Sequence, residues 1–340
     1  MLELKDYENI LIKTYSHDSG LLYLGLSLYK TLLAAGHNVS LIPKPIFEKK
    51  QGRYYLEYPE VKGPVPHLFK FKRDGLKKNE VVQDAVEKQK TNLIVSLETS
   101  MTDLGWINEA KRNKVKVVDV PMLEWVPLHH FNKMSYNVFD KVWCLTEYTW
   151  HTFNRAGYKN LERINWNYVD EDLFNSNNRG YPNQFYFYHQ ASLNNNYSSK
   201  NTQAVVQAFL KLSQESKDQY PVNLIITGNY PDNKVDNIKV SNQILDRNEI
   251  AAIYKMVNCV VAPSSREGLG LSLYEAAASG CDIITTDYPP MNSVNTKYLC
   301  KVSNYEWDGS LVPIAKVSSE TIYEQMKKVY EEHYVRKSNS

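Results

Sequence analysis

The chain has 340 residues, 43% hydrophobic and 23% charged, an ordinary balance for a globular protein long enough to bury two separate cores. A net charge of +2 is too small to argue for nucleic-acid binding, and no apolar run approaches the roughly 18 residues of a membrane span. The first residues, Met1–Asn9, are charged and lack an apolar centre, so no signal peptide is expected and the location read from the sequence is cytoplasmic.

Short, uniformly apolar and β-branched runs recur along the chain and predict buried parallel strands at Asn9–Lys13, Asn38–Ile42, Asn92–Leu97, Val115–Val120 and Lys141–Thr146. A second set follows at Gln184–Tyr188, Val222–Gly228, Cys259–Pro263 and Asp282–Asp287. Helix-period segments alternate with them. Leu21–Ala35 puts Leu21, Leu24, Leu28, Leu32 and Ala35 on one face, and Asn201–Leu212 does the same with Val205, Ala208, Phe209 and Leu212. Glu249–Val257 and Leu271–Ala278 are the next candidates. Alternation of this kind implies two α/β units, each a parallel sheet with helices on both faces. The boundary falls near Tyr168–Pro182, where Gly180, Pro182 and polar residues interrupt the pattern. The four cysteines, Cys144, Cys259, Cys281 and Cys300, are widely spaced without a Cys-x-x-Cys pair, and are read as buried free thiols in a reducing compartment.

In open parallel sheets, ligands bind at the carboxyl ends of the strands. The strongest motif lies there, after Cys259–Pro263: Ser264-Ser265-Arg266-Glu267-Gly268-Leu269-Gly270-Leu271-Ser272-Leu273-Tyr274-Glu275-Ala276. Gly268 and Gly270 allow close backbone approach at a helix start, where N–H groups and the positive dipole end suit phosphate. Glu275, two turns on, is placed to accept hydrogen bonds from a vicinal diol such as ribose. Glu267, at the strand exit, is placed for the hydroxyls of a sugar.

This block resembles the E-x7-E signature of retaining GT-B glycosyltransferases, family four in the sequence classification (glycosyl transferases group 1). Ala262-Pro263-Ser264 before it, and Glu275-Ala276-Ala277-Ala278-Ser279-Gly280 with Asp282–Asp287 after it, extend the match. So do Leu224–Gly228, Ile244-Leu245-Asp246 with Glu249 and Tyr254, Val169–Phe174, and Thr31–Val39. The resemblance implies the GT-B fold, two Rossmann-like domains with a cleft between them. Residues 1–168 would bind the acceptor and 169–340 the nucleotide-sugar, with the last helix a candidate for packing back on the first domain. It implies transfer of a sugar from a UDP- or GDP-sugar to a glycan, lipid-linked or protein-linked acceptor, with retention and with neither metal nor cofactor. Glu267, Lys200 and Glu124 are the implied catalytic residues. Glu275, Gly268, Leu269, Gly270, Leu271, Arg266, Leu245 and Gly228 would hold the donor.

Two departures from the family pattern stand out. The family sets an arginine and a lysine before the first helix of the second domain to neutralise the donor diphosphate. Ser199-Lys200-Asn201 supplies the lysine, but His189-Gln190-Ala191-Ser192 stands where the arginine belongs, leaving His189, Gln190 or Arg266 to replace it. Many members also carry a histidine near the transferred sugar, a position taken here by Glu124 or Trp125, with His129 and His130 close behind and Glu98 a second strand-exit carboxylate.

Near the N-terminus, Tyr15–Gly20 forms the loop after the first strand, with Asp18 or Ser19 either capping the helix or touching the acceptor. That loop lacks the G-x-G-x-x-G of a dehydrogenase. Asp170-Glu171-Asp172 resembles the metal-binding D-x-D of GT-A enzymes, but its place in Val169–Phe174 favours a helix cap. Lys44–Lys78 is lysine-rich and interleaved with Tyr54, Tyr55, Phe69 and Phe71, a solvated insertion that leaves peripheral membrane contact open. A weakly active sugar-binding relative and a metal-dependent GT-A transferase are the competing readings.

Overall fold

Apolar strands that bury both faces need helices above and below, and the chain satisfies that need twice. The structure, a computed structural model, describes residues 4, 6–15, 20–44, 86–87, 89–98, 105–122, 124, 136–180, 184–192, 198–216, 221–231, 235–243 and 245–338. Two units form, Met1–Leu123 with Pro127–Tyr168, and Glu124–Val126 with Val169–Ser340.

In the first unit the strands β1 (Asn9–Tyr15), β2 (Asn38–Lys44), β3 (Leu93–Leu97), β4 (Lys116–Val120), β5 (Lys141–Cys144) and β6 (Leu161–Arg163) pair in parallel in the order β2-β1-β3-β4-β5-β6. Helices α1 (Gly20–Ala34), α2 (Gly105–Arg112) and α3 (Glu147–Arg155) accompany them. All five residues of β3 are buried, as a central parallel strand requires. The expected strand end at Thr146 is corrected to Cys144, because Thr146 caps α3, its Oγ1 accepting from the Thr149 N–H at 3.0 Å.

The second unit holds β7 (Phe185–Gln190), β8 (Val222–Thr227), β9 (Ile238–Ser241), β10 (Cys259–Ala262), β11 (Asp282–Thr286) and β12 (Tyr298–Cys300), in the order β12-β11-β10-β7-β8-β9. The neighbouring pairs run parallel. Counted from β7, this is the doubly wound order 3-2-1-4-5-6, with its reversal between β7 and β10. Helices α4 (Thr202–Glu215) and α7 (Ser319–Ser338) pack together, and Val205, Phe209, Leu212, Ile322, Met326 and Val329 bury against one face of the sheet. Helices α5 (Arg247–Met256) and α6 (Leu271–Ala278) bring Ala251, Tyr254, Leu273 and Ala276 to the core on the other face. A short antiparallel ribbon, β13 (Asn304–Glu306) with β14 (Ile314–Lys316), precedes α7. Cys144, Cys259, Cys281 and Cys300 are buried free thiols.

Local chemistry sets two boundaries that periodicity placed elsewhere. Helix α5 starts at Arg247 rather than Glu249 because Asp246 and Glu249 form a reciprocal capping box. Asp170 begins a turn, not a helix: its carbonyl accepts from the N–H groups of Leu173 and Phe174 at 3.0 and 2.8 Å. Arg179, just beyond, donates to the carbonyls of Ser279 and Val257, both at 2.5 Å, and so fastens the incoming chain to the ends of α6 and α5.

Gly228, at the exit of β8, has φ of +99° and a backbone so close to Ala191 that an added Cβ would lie 2.5 Å from its carbonyl oxygen. Gly309 shares a positive φ, +80°, but faces open space. We expect Gly228→Ala to destabilise the chain by about 2–4 kcal/mol and Gly309→Ala by only about 1–2 kcal/mol, read from urea unfolding midpoints. Equal losses would show that backbone strain alone, and not the approach to Ala191, demands the glycine.

Candidate functional site

The reversal of strand order between β7 and β10 makes the loops that follow these two strands diverge, and the ligand-type residues of the second unit gather there. After β7 the chain makes a single 3₁₀ turn, Ser198–Lys200, before α4. Two links tie that turn to the exit of β10. The Ser265 N–H donates to the Ser199 carbonyl at 2.7 Å, and the Asn201 side-chain amide donates to the Pro263 carbonyl at 2.6 Å. Asn201 itself is left-handed, with φ of 53°, which turns the backbone sharply into the helix.

These links set Lys200 against Glu267, and the two side chains form an ion pair. Lys200 is half-buried and Glu267 buried. Burial works against the Lys200 ammonium, but the charges of Glu267 and Glu124 outweigh it, so its pKa is raised. Glu124, in the short segment Glu124–Val126 that belongs to this unit, keeps an exposed surface. The crowded protein around its carboxyl nevertheless raises its pKa by desolvation, and Glu267 adds to this by like-charge repulsion. Lys200, the Gly268 N–H and Arg266 oppose the rise. The cluster is one ammonium flanked by two carboxylates.

Gly268, Leu269 and Gly270 are buried and Leu271 half-buried, in the loop that leads from Glu267 into α6. Gly270 is left-handed at φ of +76° and opens α6 with no side-chain cap on its first turn. Two turns further, Glu275 is buried and paired with Arg247 at the start of α5, Nη2 to Oε1 at 2.6 Å. The Arg247 guanidinium lies 4.4 Å from the Phe174 ring centroid. Burial raises the Glu275 pKa, Arg247 opposes that, and Asp170 adds a further rise. Leu245 is half-buried immediately before the Asp246 cap. Gly228 follows β8, its N–H bonded to the Ser241 carbonyl.

Two residues considered in place of the missing arginine, His189 and Arg266, are engaged elsewhere. His189 is buried with Nδ1 at 2.7 Å from the Val261 carbonyl and Nε2 at 2.9 Å from the Thr202 hydroxyl. Desolvation, helped by Lys200 and opposed by the Val261 bond, pushes its pKa down to about 4. It is therefore neutral and brings no charge to replace the missing arginine, a correction to one of the substitutes considered; Gln190 beside it is exposed. Arg266 is held by Asp308 through both its terminal nitrogens, at 3.3 and 2.6 Å, so its charge is already shared with a carboxylate. Glu98 sits in the first unit at the exit of β3, left-handed at φ of 49°. Asp18, Ser19, Trp125, His129, His130 and the lysine-rich stretch beyond Lys44 lie outside the described residues. Among the described residues no group of three or more His, Cys, Asp or Glu is arranged to hold a metal ion, and no helix is long and apolar enough to cross a membrane.

Sequence reading missed Arg247, Asp308 and the bonded role of His189. Arg247 carried a usable signal, since Asp246-Arg247-Asn248-Glu249 is a capping-box pattern that fixes where α5 begins. Asp308, 42 positions from Arg266, carried none. What the site offers chemically is a cation and an uncapped helix start beside each other, suited to a phosphate group, with two buried or crowded carboxylates suited to hydroxyls.

Residues 171–337 match the family model described as glycosyl transferases group 1. No curated protein sequence matches the chain. Among solved structures, the pneumococcal O-GlcNAc transferase GtfA in complex with UDP and GlcNAc is similar at TM-score 0.55 and 16% identity, covering 76% of this chain and 54% of that one. The present chain thus spans about half the length of that transferase. Sucrose-phosphate synthase from Thermosynechococcus elongatus is similar at TM-score 0.57 and 14% identity, covering 97% of this chain and 100% of that one. UDP-GlcNAc 2-epimerase from Methanocaldococcus jannaschii is similar at TM-score 0.53 and 11% identity, covering 94% and 91%. At these identities the likeness shows the fold, two Rossmann-like units of the GT-B class, which a transferase and an epimerase share.

Arg247→Met should lower stability at neutral pH by about 3–5 kcal/mol, because it leaves the Glu275 carboxylate buried without its partner. The penalty should shrink as pH falls through the raised Glu275 pKa, since protonation removes the uncompensated charge. Replacing both residues by Met should recover most of the loss. Urea unfolding of the three variants at two pH values measures this, and a double variant no better than the single would contradict it.

Proposed function

We propose, from the group 1 match over residues 171–337, that this chain transfers a sugar from a nucleoside-diphosphate sugar to an acceptor hydroxyl, with retention of configuration and without a metal. The observation that carries the reading is the Lys200–Glu267 pair, set at the strand-order reversal and at the head of the E-x7-E block. A switch-point crevice is where a doubly wound sheet takes a nucleotide. Fold and family resemblance raise the reading; the side chains at the crevice give it its chemistry.

In this reading the donor diphosphate lies at the start of α6, near the backbone of Gly268–Leu271. Lys200 exchanges part of its contact with Glu267 for the phosphate oxygens, leaving Glu267 to accept hydrogen bonds from the sugar hydroxyls. Glu275, held by Arg247, accepts from the ribose, and Leu245 with the Gly228 loop borders the base. As the bond from the anomeric carbon to the diphosphate oxygen breaks, Lys200 and the helix start stabilise the growing charge on the leaving group. The acceptor oxygen bonds to the same face of the anomeric carbon, and its proton passes to the departing phosphate. Glu124, whose carboxyl holds its proton more tightly than usual, stands as a hydrogen-bonding partner for sugar or acceptor. A UDP-sugar donor is supported by the UDP in the similar pneumococcal structure, with a glycan, lipid-linked or protein-linked acceptor.

The test is incubation with a panel of UDP- and GDP-sugars and simple glycan acceptors, in excess EDTA, followed by proton NMR of the product. Nucleoside diphosphate should be released, and the new linkage should carry the donor's own anomeric configuration. Lys200→Ala should lower kcat/KM by about 100-fold, the scale of losing one charge-stabilising group at the reacting centre. Inversion at the anomeric carbon, or activity abolished by EDTA and restored by manganese, would contradict the mechanism. Tight nucleotide binding without turnover would point to the sugar-binding relative, a reading favoured by Arg266 being committed to Asp308.

A further inference from the structure

Helix α4 carries Lys200 at its threshold, yet its first turn has no side-chain cap: Asn201 is the capping residue and makes no such bond to the helix. Besides the Ser265 N–H on the Ser199 carbonyl, two tethers fix the threshold, and both end on the β10 segment. One is the Asn201 amide on the Pro263 carbonyl. The other runs from the Thr202 hydroxyl to His189 Nε2, through the imidazole, and from Nδ1 to the Val261 carbonyl. A carbonyl only accepts, so Nδ1 carries the proton and donates; Nε2 of the neutral ring then accepts from the Thr202 hydroxyl. The ring is thus a directional link from β10 to the start of α4.

We propose that His189, through Thr202, is a positioning residue that fixes Lys200 relative to the strand whose exit carries Glu267. Glu267 lies in the loop five residues past the end of β10, so tethering the Lys200 turn to Val261 and Pro263 brings both members of the ion pair to the same strand exit. The neutral ring adds no cation beside Lys200, and its full burial together with the Lys200 charge keeps it neutral down to a pKa of about 4. The geometry of this assignment stands by itself; its functional meaning rests on reading Lys200 as a diphosphate ligand.

Thr202→Val removes the hydroxyl at nearly constant shape, and Thr202→Ser restores it. The first measurement needs no nucleotide: the rate of reductive methylation of Lys200, followed by peptide mass spectrometry. We expect Thr202→Val to raise that rate by about fivefold, the loss of one buried hydrogen bond, and Thr202→Ser to bring it back to the wild-type value. An unchanged rate in Thr202→Val overturns the proposal, and Thr202→Ala serves in its place if the valine variant does not fold. The second measurement is the affinity for UDP and for GDP in a double-mutant cycle with Lys200→Ala. Thr202→Val should weaken binding about fivefold with Lys200 present and not at all with Lys200→Ala, because the residue acts through the lysine. Equal weakening in both backgrounds would show a merely structural role and overturn it. If the wild type binds neither nucleotide, the donor reading falls, while the methylation rate still decides the positioning role.

Discussion

The pairing of Lys200 with Glu267 is the interaction on which the second unit's site depends. It joins loops that leave β7 and β10, the two adjacent strands at which the order of the sheet reverses. Divergence of loops at such a reversal opens space for a ligand, and the same divergence would leave a lysine and a glutamate far apart without further ties. The ties are backbone and side-chain hydrogen bonds from Ser265, Asn201 and Thr202, which hold the Lys200 turn to the β10 side. A partly buried pair of this kind gives modest net stability, because desolvation offsets much of the attraction. In the proposed reading, its value is to keep a cation and a carboxylate poised together, ready to divide between a phosphate and a sugar.

The second pair, Arg247 with Glu275, is more deeply buried and does different work. It fastens the start of α5 to the middle of α6, two helices on one face of the sheet, and stacks over Phe174 in the segment that leads into the unit. A carboxylate fixed this way is already ordered, which lowers the entropy cost of a hydrogen bond it accepts from a ligand. The third pair, Arg266 with Asp308, ties the loop beside Glu267 to the β13–β14 region. Lys200, Arg247 and Arg266 thus each pair with a carboxylate.

Much of this was legible in the sequence. The alternating apolar runs marked nine strands within a few residues, because strands buried on both faces cannot tolerate polar interruption. The short strands β6, β9, β12, β13 and β14 escaped, since runs of three or four residues carry no clear period. The glycines and glutamates between Ser264 and Ala276 were readable because backbone approach and helix starts constrain residue type locally. Arg247 and Asp308 were not, because long-range ion pairs leave no spacing rule in the chain. His189, one of three residues considered in place of the missing arginine, drops out on burial: its bonds to Val261 and Thr202 and its lowered pKa leave no charge there, and nothing in the local sequence signals this.

A single structure can test whether Lys200 divides its contact between Glu267 and a diphosphate, as the proposed function requires. The measurement is a crystal structure of the chain with UDP or GDP bound, refined well enough to place the phosphates. The expected result is a phosphate oxygen within hydrogen-bond distance of Lys200 Nζ, the diphosphate beside the Gly268–Leu271 backbone, and the ribose on Glu275. A nucleotide bound elsewhere, with Lys200 still wholly engaged by Glu267, would contradict it.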